Sequence, residues 1–363
     1  MTPVAPLNRD EVRAAVRFKT PPRPPTARLH AYPAGGVLDK HGDALRGLMA
    51  AYPEDVLRPY IIEPGRFDSP CEDPDYKWAF GDKQAPEENI DGTGYAIGQK
   101  SGRKGYDSVF QVIDDWSELD QFLEELPDPE LPCAMDRIAQ ARRDNPNRYI
   151  AGSWSFCFFE RMWDVRGMQN LLMDYYLNPE PVHRLTRGLC DMYKAWIDRI
   201  AKAGADALAT TDDLGHQTGP MMAPETFREF LKPYYAELID HAHSLNLDFW
   251  FHCCGDITPI LQDFIEIGLD VLHPLQAGAM DERALAAAGS RRIVFHVGMD
   301  VQWLMPFGSA QQVYQGCMDR IESFHRPDGG TVLGAGNAIL PDTPLENIQA
   351  YYEAIFDPRW HSG

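Results

Sequence analysis

Residues Leu247–His273 read LDFWFHCCGDITPILQDFIEIGLDVLH, and the order of signals within them decides the class of fold. Leu247–His252 is an apolar, aromatic run of strand character that ends in a turn at Gly255. Helix signals follow, and Asp270–His273 begins a second β-rich run. Strand, helix, strand at this spacing belongs to a parallel sheet.

The alternation continues in both directions. β-rich runs at Tyr149–Trp154 and Ala205–Thr211 precede the quoted stretch, and Arg292–Val297 and Thr331–Ala335 follow it. Between the first two, Asn178 caps a helix that Pro179 opens. Val182, Leu185, Leu189, Met192, Trp196 and Ile200 form its apolar stripe, and Gly204 closes it. Pro224 opens another helix, striped by Phe227, Phe230, Leu231, Tyr234 and Leu238, which Pro233 should break or kink. Ser309 with Gln312, and Thr343 with Glu346, read as capping boxes, the second with Pro344 at the first helical position. No GxGxxG or Walker motif marks an open doubly wound sheet. The expected fold is therefore α/β, a (β/α)8 TIM barrel.

The N-terminal third is less regular. Residues 1–36 hold Pro21, Pro22, Pro24, Pro25, Pro33 and the pair Gly35-Gly36. They read as an extended arm with one short helix near Arg9–Phe18, draped on the barrel or on the partner subunit of a homodimer. Residues 37–363 form the barrel. They begin with a helix over Val37–Ala51 and a first strand over Val56–Ile62. An excursion over residues 65–112 then carries a β-hairpin built from Thr93–Ile97 and Ser108–Ile113.

The chain has 363 residues, 44% hydrophobic and 24% charged, which is ample material for a globular core. Lys and Arg total 34 against 54 Asp and Glu, a formal charge of -20. That balance disfavours nucleic-acid and membrane-surface partners. No apolar run approaches the roughly 18–20 residues of a membrane span. The N-terminus lacks the apolar core of a secretory signal. Seven scattered cysteines suit free thiols in a reducing compartment better than a disulfide framework, so a cytoplasmic enzyme is expected.

Chemistry concentrates where strands should end, which is where barrel enzymes hold their active sites. Side chains alternate along a strand, so His252 and Cys254 should point one way and Cys253 the other. A His-x-Cys pair there offers zinc two ligands; the plainer alternative is a hydrogen-bonded histidine beside inert cysteines. Asp212, Asp213 and Asp300 are candidate catalytic carboxylates. Trp154, Glu160, Gln217, His273, Gln276, His296 and Asn337 are candidate substrate contacts. Structural roles compete with each: Asp212 or Asp213 as a loop cap, Asp300 as an arginine's partner. Glu160 is an acid–base group if desolvated, or else stands in a helix start stabilised by an Arg161 or Arg166 ion pair.

Several segments in order carry a family resemblance: Gln217–Pro220 (QTGP), Glu225–Pro233 (ETFREFLKP), His252–Asp256 (HCCGD), Ile267–Leu272 (IGLDVL), Gly298–Pro306 (GMDVQWLMP) and Asp342–Asn347 (DTPLEN). Together they resemble the uroporphyrinogen decarboxylase superfamily over about residues 145–357. The resemblance implies a (β/α)8 barrel with a funnel-like cleft and one of two chemistries. One is cofactor-free decarboxylation of uroporphyrinogen or a related carboxylate. The other is zinc-dependent methyl transfer, in which a methyl group passes from a corrinoid, with a corrinoid protein as partner, or from a methylated small molecule to a metal-activated thiol or similar nucleophile.

His252 and Cys254 match two zinc ligands of the methyltransferase branch. That branch's third ligand, a cysteine after the last strand, is absent from Gly334–Ala338 (GAGNA), and Cys317 on the preceding helix should not reach. Asp256, Asp212, Asn337 or a water would have to serve. The decarboxylase branch's arginine-rich turn is missing from Leu57–Arg66, and its histidine after the last strand corresponds roughly to Asn337. A methyltransferase is the leading expectation, with a decarboxylase and a non-catalytic tetrapyrrole- or corrinoid-binding barrel as alternatives.

Overall fold

The computed structural model describes residues 4–27, 36–59, 113–124, 126, 135–154, 156–280, 282–288 and 291–361. The hairpin expected within 65–112, apart from Ile113, and the end of the first strand beyond Pro59 lie outside the described residues.

Among the described residues nine strands are formed: β1 (Val56–Leu57), β2 (Tyr149–Ser153), β3 (Ala207–Thr211), β4 (Gly215–His216), β5 (Gly219–Pro220), β6 (Asp248–His252), β7 (Val271–Leu275), β8 (Val294–Met299) and β9 (Thr331–Ala335). Seven make one curled parallel sheet in the order β1-β2-β3-β6-β7-β8-β9. The remaining two, β4 and β5, pair antiparallel as a small hairpin after β3, which the sequence did not announce. Every strand of the main sheet except β1 is buried along its whole length, because helices cover one face and the curl encloses the other.

Alternate residues divide between two cores, as the two-residue strand period requires. Val56, Tyr149, Ala151, Ala207, Ala209, Trp250, Val271, Val294 and Val332 meet on the inner side. The opposite side packs beneath helices such as α7, Pro179–Lys202, whose expected stripe is wholly buried. The expected break at Pro233 falls two residues earlier, at Leu231, where one helix ends at Phe230 and the next starts at Lys232. Pro233 thus sits in a first turn, where its missing N–H has no cost. Ser309 and Gln312 form their capping box. Thr343 and Glu346 do not: that helix begins at Leu345 after Pro344 and has no side-chain cap.

The arm's helix, α1 (Arg9–Val16), is opened by an Asn8–Glu11 capping box. Arg9 and Arg13 bond Asp206, just before β3, and Arg17 bonds Asp248, at the start of β6. The helix therefore lies at the N-terminal ends of the strands, opposite the candidate site. Residues 25–27 run between the two edges of the sheet. Leu333 of β9 donates to Pro25 O at 2.8 Å and accepts from Ala27 N at 3.0 Å, while Asp55, next to β1, donates to Thr26 O at 2.9 Å. Among the described residues, no helix is long and apolar enough to cross a membrane.

A candidate metal centre at the strand ends

β3 and β6 pair in register, with Thr211 opposite His252. Two residues further on, Asp213 and Cys254 therefore stand side by side, and Cys254 N donates to Asp213 Oδ1 at 2.9 Å. The loops that follow touch backbone to backbone at Gly215 and Gly255. A Cβ on Gly255 would lie 2.3 Å from the Gly215 carbonyl carbon, and one on Gly215 would lie 2.7 Å from Cys254 O. Gly255 also has a φ of +81°, which glycine adopts without strain. These glycines let the two strand ends close together.

The carboxylate of Asp213, the imidazole of His252 and the thiol of Cys254 each offer a ligand atom within 4.8 Å of the others. His252 Nε2 lies 3.3 Å from Cys254 Sγ and 3.5 Å from Asp213 Oδ1. Its other ring nitrogen, Nδ1, is 2.6 Å from Nδ1 of His273, the residue opposite it on β7. Asn337, after β9, places Nδ2 3.6 Å from Cys254 Sγ. Cys253 points the other way into the core, where its sulfur meets Leu214 N at 3.2 Å. Cys317 is buried among core residues on its helix.

The electrostatics are polarised. Burial, reinforced by Asp213 and Glu160, pushes the Cys254 thiol well above its ordinary range. Burial also opposes ionisation of Asp213, but its neighbours His252 and the Cys254 N–H outweigh it and hold that carboxyl below its ordinary value. Glu160 is pushed well up by burial and then by the charges of Asp213, Asp212 and Asp164. No ion pair with Arg161 relieves it, since Arg161 meets Asp164 at 3.5 Å and Arg166 meets Asp174 at 2.8 Å. Glu160 accepts instead from Thr211 Oγ1 at 3.2 Å.

The other sequence candidates separate by location. Asp212 is fully buried, accepts the backbone N–H groups of Phe158, Phe159 and Glu160 and the Tyr235 hydroxyl, and so anchors the start of the helix Phe159–Arg166. Burial raises it to about 6, and its donors keep it ionised at neutral pH. Asp300 accepts from Gln302 N and Trp303 N, holding a turn instead of pairing with an arginine. Trp154 packs in the helix layer, stacked on Tyr193. His273 and His296 are buried below the strand ends, their rings tilted against each other with centroids 4.3 Å apart, and burial lowers His296 to about 3.

A cavity of about 310 Å³ reaches the triad at Cys254 and is lined among others by Gln217, Gln276, Asp300, Gln302 and Asn337. Gln276 Oε1 accepts from Gly255 N at 2.7 Å, bracing the loop that carries Cys254. Sequence reasoning missed Gln302 and gave Asp213 no part in holding a metal. No local signal announces the latter, because it is the pairing of Thr211 with His252 in the sheet that carries Asp213 to the side of Cys254.

A curled parallel sheet with a cleft and a His–Cys–Asp cluster at its C-terminal ends defines an α/β protein with an enzyme-like site and a candidate metal centre. The chain belongs to the uroporphyrinogen decarboxylase (URO-D) family, whose model matches residues 92–357. It is 29% identical over 163 residues to a methylcobamide:CoM methyltransferase of Methanosarcina barkeri, covering 44% of each protein. It is 26% identical over 198 residues to a methylated-thiol–coenzyme M methyltransferase of Methanosarcina mazei, covering 52% of this chain and 48% of that one. A uroporphyrinogen decarboxylase of Chlorobium limicola is 21% identical over 263 residues, 69% of this chain and 72% of that one. The matches to the two methyltransferases thus span about half of those proteins. A solved methyltransferase from Methanosarcina mazei shares the fold, with a TM-score of 0.51 and 22% identity over 61% of this chain and 62% of that one.

Proposed function

We propose that this chain is a metal-dependent methyltransferase that moves a methyl group from a corrinoid or a methylated small molecule to a thiol. The observation that carries the reading is the convergence of Asp213, His252 and Cys254 within 4.8 Å of one another, with Cys254 lining the cleft. The donor set suits zinc: one thiolate, one imidazole and one carboxylate, with room for a further ligand. The chain's own electrostatics fit as well, because the Cys254 thiol sits among carboxylates that resist its ionisation, and a bound cation would reverse that balance.

When bound, zinc would supply Lewis acidity that holds an acceptor thiol as its thiolate near neutral pH. Glu160, raised by burial beside Asp213, is the group suited to take the thiol's proton. Gln217, Gln276, Gln302 and Asn337 line the cavity with hydrogen-bonding amides that orient the substrate. The methyltransferase relatives support this choice over decarboxylation, and the name of the methylcobamide enzyme supports a methylated corrinoid, delivered by a corrinoid protein, as the donor.

The architecture we propose for the site is a closed (β/α)8 barrel over residues 37–363. The arm, residues 1–36, would lend residues 25–27 to the seam between β9 and β1. The free thiols of Cys157, Cys190, Cys253, Cys254 and Cys317 support a cytoplasmic location.

Metal analysis of untagged, chelator-free protein tests the reading. About one zinc per chain is expected, lost in Cys254→Ala and kept in Cys253→Ala, together with thiol methylation from methylcobalamin by the wild type alone or with Cys253→Ala. Wild-type protein grown with ample zinc yet carrying none would overturn it.

A further inference from the structure

His252 and His273 face each other across β6 and β7, both buried, with Nδ1 to Nδ1 at 2.6 Å and ring centroids 4.8 Å apart. Two ring nitrogens at that distance must share one proton, because two lone pairs or two N–H groups would repel each other. The proton's owner decides what His252 can do. If His273 donates, a neutral His252 carries its own hydrogen on Nε2, the atom that faces Cys254 Sγ at 3.3 Å and Asp213 Oδ1 at 3.5 Å. It then has no lone pair for a cation. If His252 donates from Nδ1, its Nε2 lone pair points into the cluster, and His273 keeps its hydrogen on Nε2.

We infer that His273 is a positioning residue which, by accepting from His252 Nδ1, fixes the ligand-competent tautomer and the ring orientation of His252. The inference rests on the metal-centre reading above. Three features of the fold make the contact rigid. In-register pairing sets the two Cα atoms opposite each other. Burial excludes a competing water, with His252 at 3% and His273 at 1% exposure. His296 on β8 packs against His273 from the neighbouring strand, its ring tilted by 55° with centroids 4.3 Å apart, and blocks its retreat. A bond from a ligating histidine's second nitrogen to a neighbouring acceptor commonly contributes tenfold or more to metal affinity.

Two measurements test it. In wild-type protein without metal, histidine-selective 15N NMR should show His252 protonated on Nδ1 with a bare Nε2, and His273 protonated on Nε2. The reverse pattern would overturn the assignment, and this measurement needs neither metal nor a substitution. In the second, zinc affinity is read by chelator competition and cobalt(II) by its visible bands. His273→Phe, which keeps a flat ring but removes the acceptor, should weaken zinc about 10–100-fold and alter the cobalt spectrum. His273→Gln, which keeps an acceptor oxygen, should recover part of the loss. Wild-type affinity in folded His273→Phe would sink the proposal. Failure of wild-type protein to bind zinc would instead sink the metal reading, and the NMR result would still decide the hydrogen bond. If His273→Phe fails to fold, the NMR pattern remains decisive.

Discussion

Asp212 and Asp213 share a sequence neighbourhood and little else. Asp212 is enclosed by three backbone N–H groups and the Tyr235 hydroxyl, while Asp213 stands partly open beside His252 and Cys254. Substitution should separate the two roles. Asp212→Ala leaves buried donors without an acceptor, at about 1–3 kcal/mol each, so a drop of several kcal/mol in unfolding free energy is expected from urea titration. Asp213→Ala should stay within about 1 kcal/mol of wild type in the same titration and yet lose bound zinc on dialysis. Equal destabilisation by the two would show that Asp213 is structural as well. The sequence shows both carboxylates at a strand end but not which one turns inward. That depends on where β3 stops and on which side the helix Phe159–Arg166 starts, and both are tertiary facts. His252, Cys253 and Cys254 were easier to read, because strand alternation is local and the structure keeps it through the end of β6.

At the scale of elements, the regular part of the chain was legible for the same reason. Runs such as Leu247–His252 and the stripe of Val182, Leu185 and Leu189 carry their period within themselves, and each appears as a strand or helix close to its expected place. The β4–β5 hairpin was not legible, since two-residue strands show no period. Nor was the placement of residues 25–27: prolines mark them as extended, but pairing with Leu333 and Asp55 depends on distant partners. Asp55 is the pin of that contact. Fully buried, it accepts from Arg23, Leu7 N, Thr26 N and Thr26 Oγ1. Removing one partner of a buried ion pair typically costs about 3–5 kcal/mol. Asp55→Ala should therefore lower the unfolding midpoint and speed hydrogen exchange at the Ala27 and Leu333 amides. Unchanged exchange there would mean the arm is held by its helix alone.

For the molecule as a whole, the charge and the cleft bear on one question, whether a polyanionic tetrapyrrole fits. The chain carries a formal charge of -20, a field that repels an anionic substrate at a distance. Closer in, no arginine or lysine is among the described residues that line the cavity; its polar lining is amides, His216, Cys254 and Asp300. Asp213 and Glu160 flank Cys254, and the second of these is already raised by burial and then by neighbouring negative charge. Carboxylates brought into the cavity lose their hydration with no cationic group in its lining, since the buried Arg58 lies beside His252 and outside that lining; such desolvation is costly in a partly buried setting. Proton delivery to a decarboxylated carbon would also lack the histidine that the decarboxylase branch places near Asn337, whose amide is no proton donor of comparable acidity. Anaerobic incubation with uroporphyrinogen, followed by chromatography of the products, should therefore yield negligible coproporphyrinogen. Product formed at a rate close to that of a true uroporphyrinogen decarboxylase assayed beside it would reverse the functional assignment.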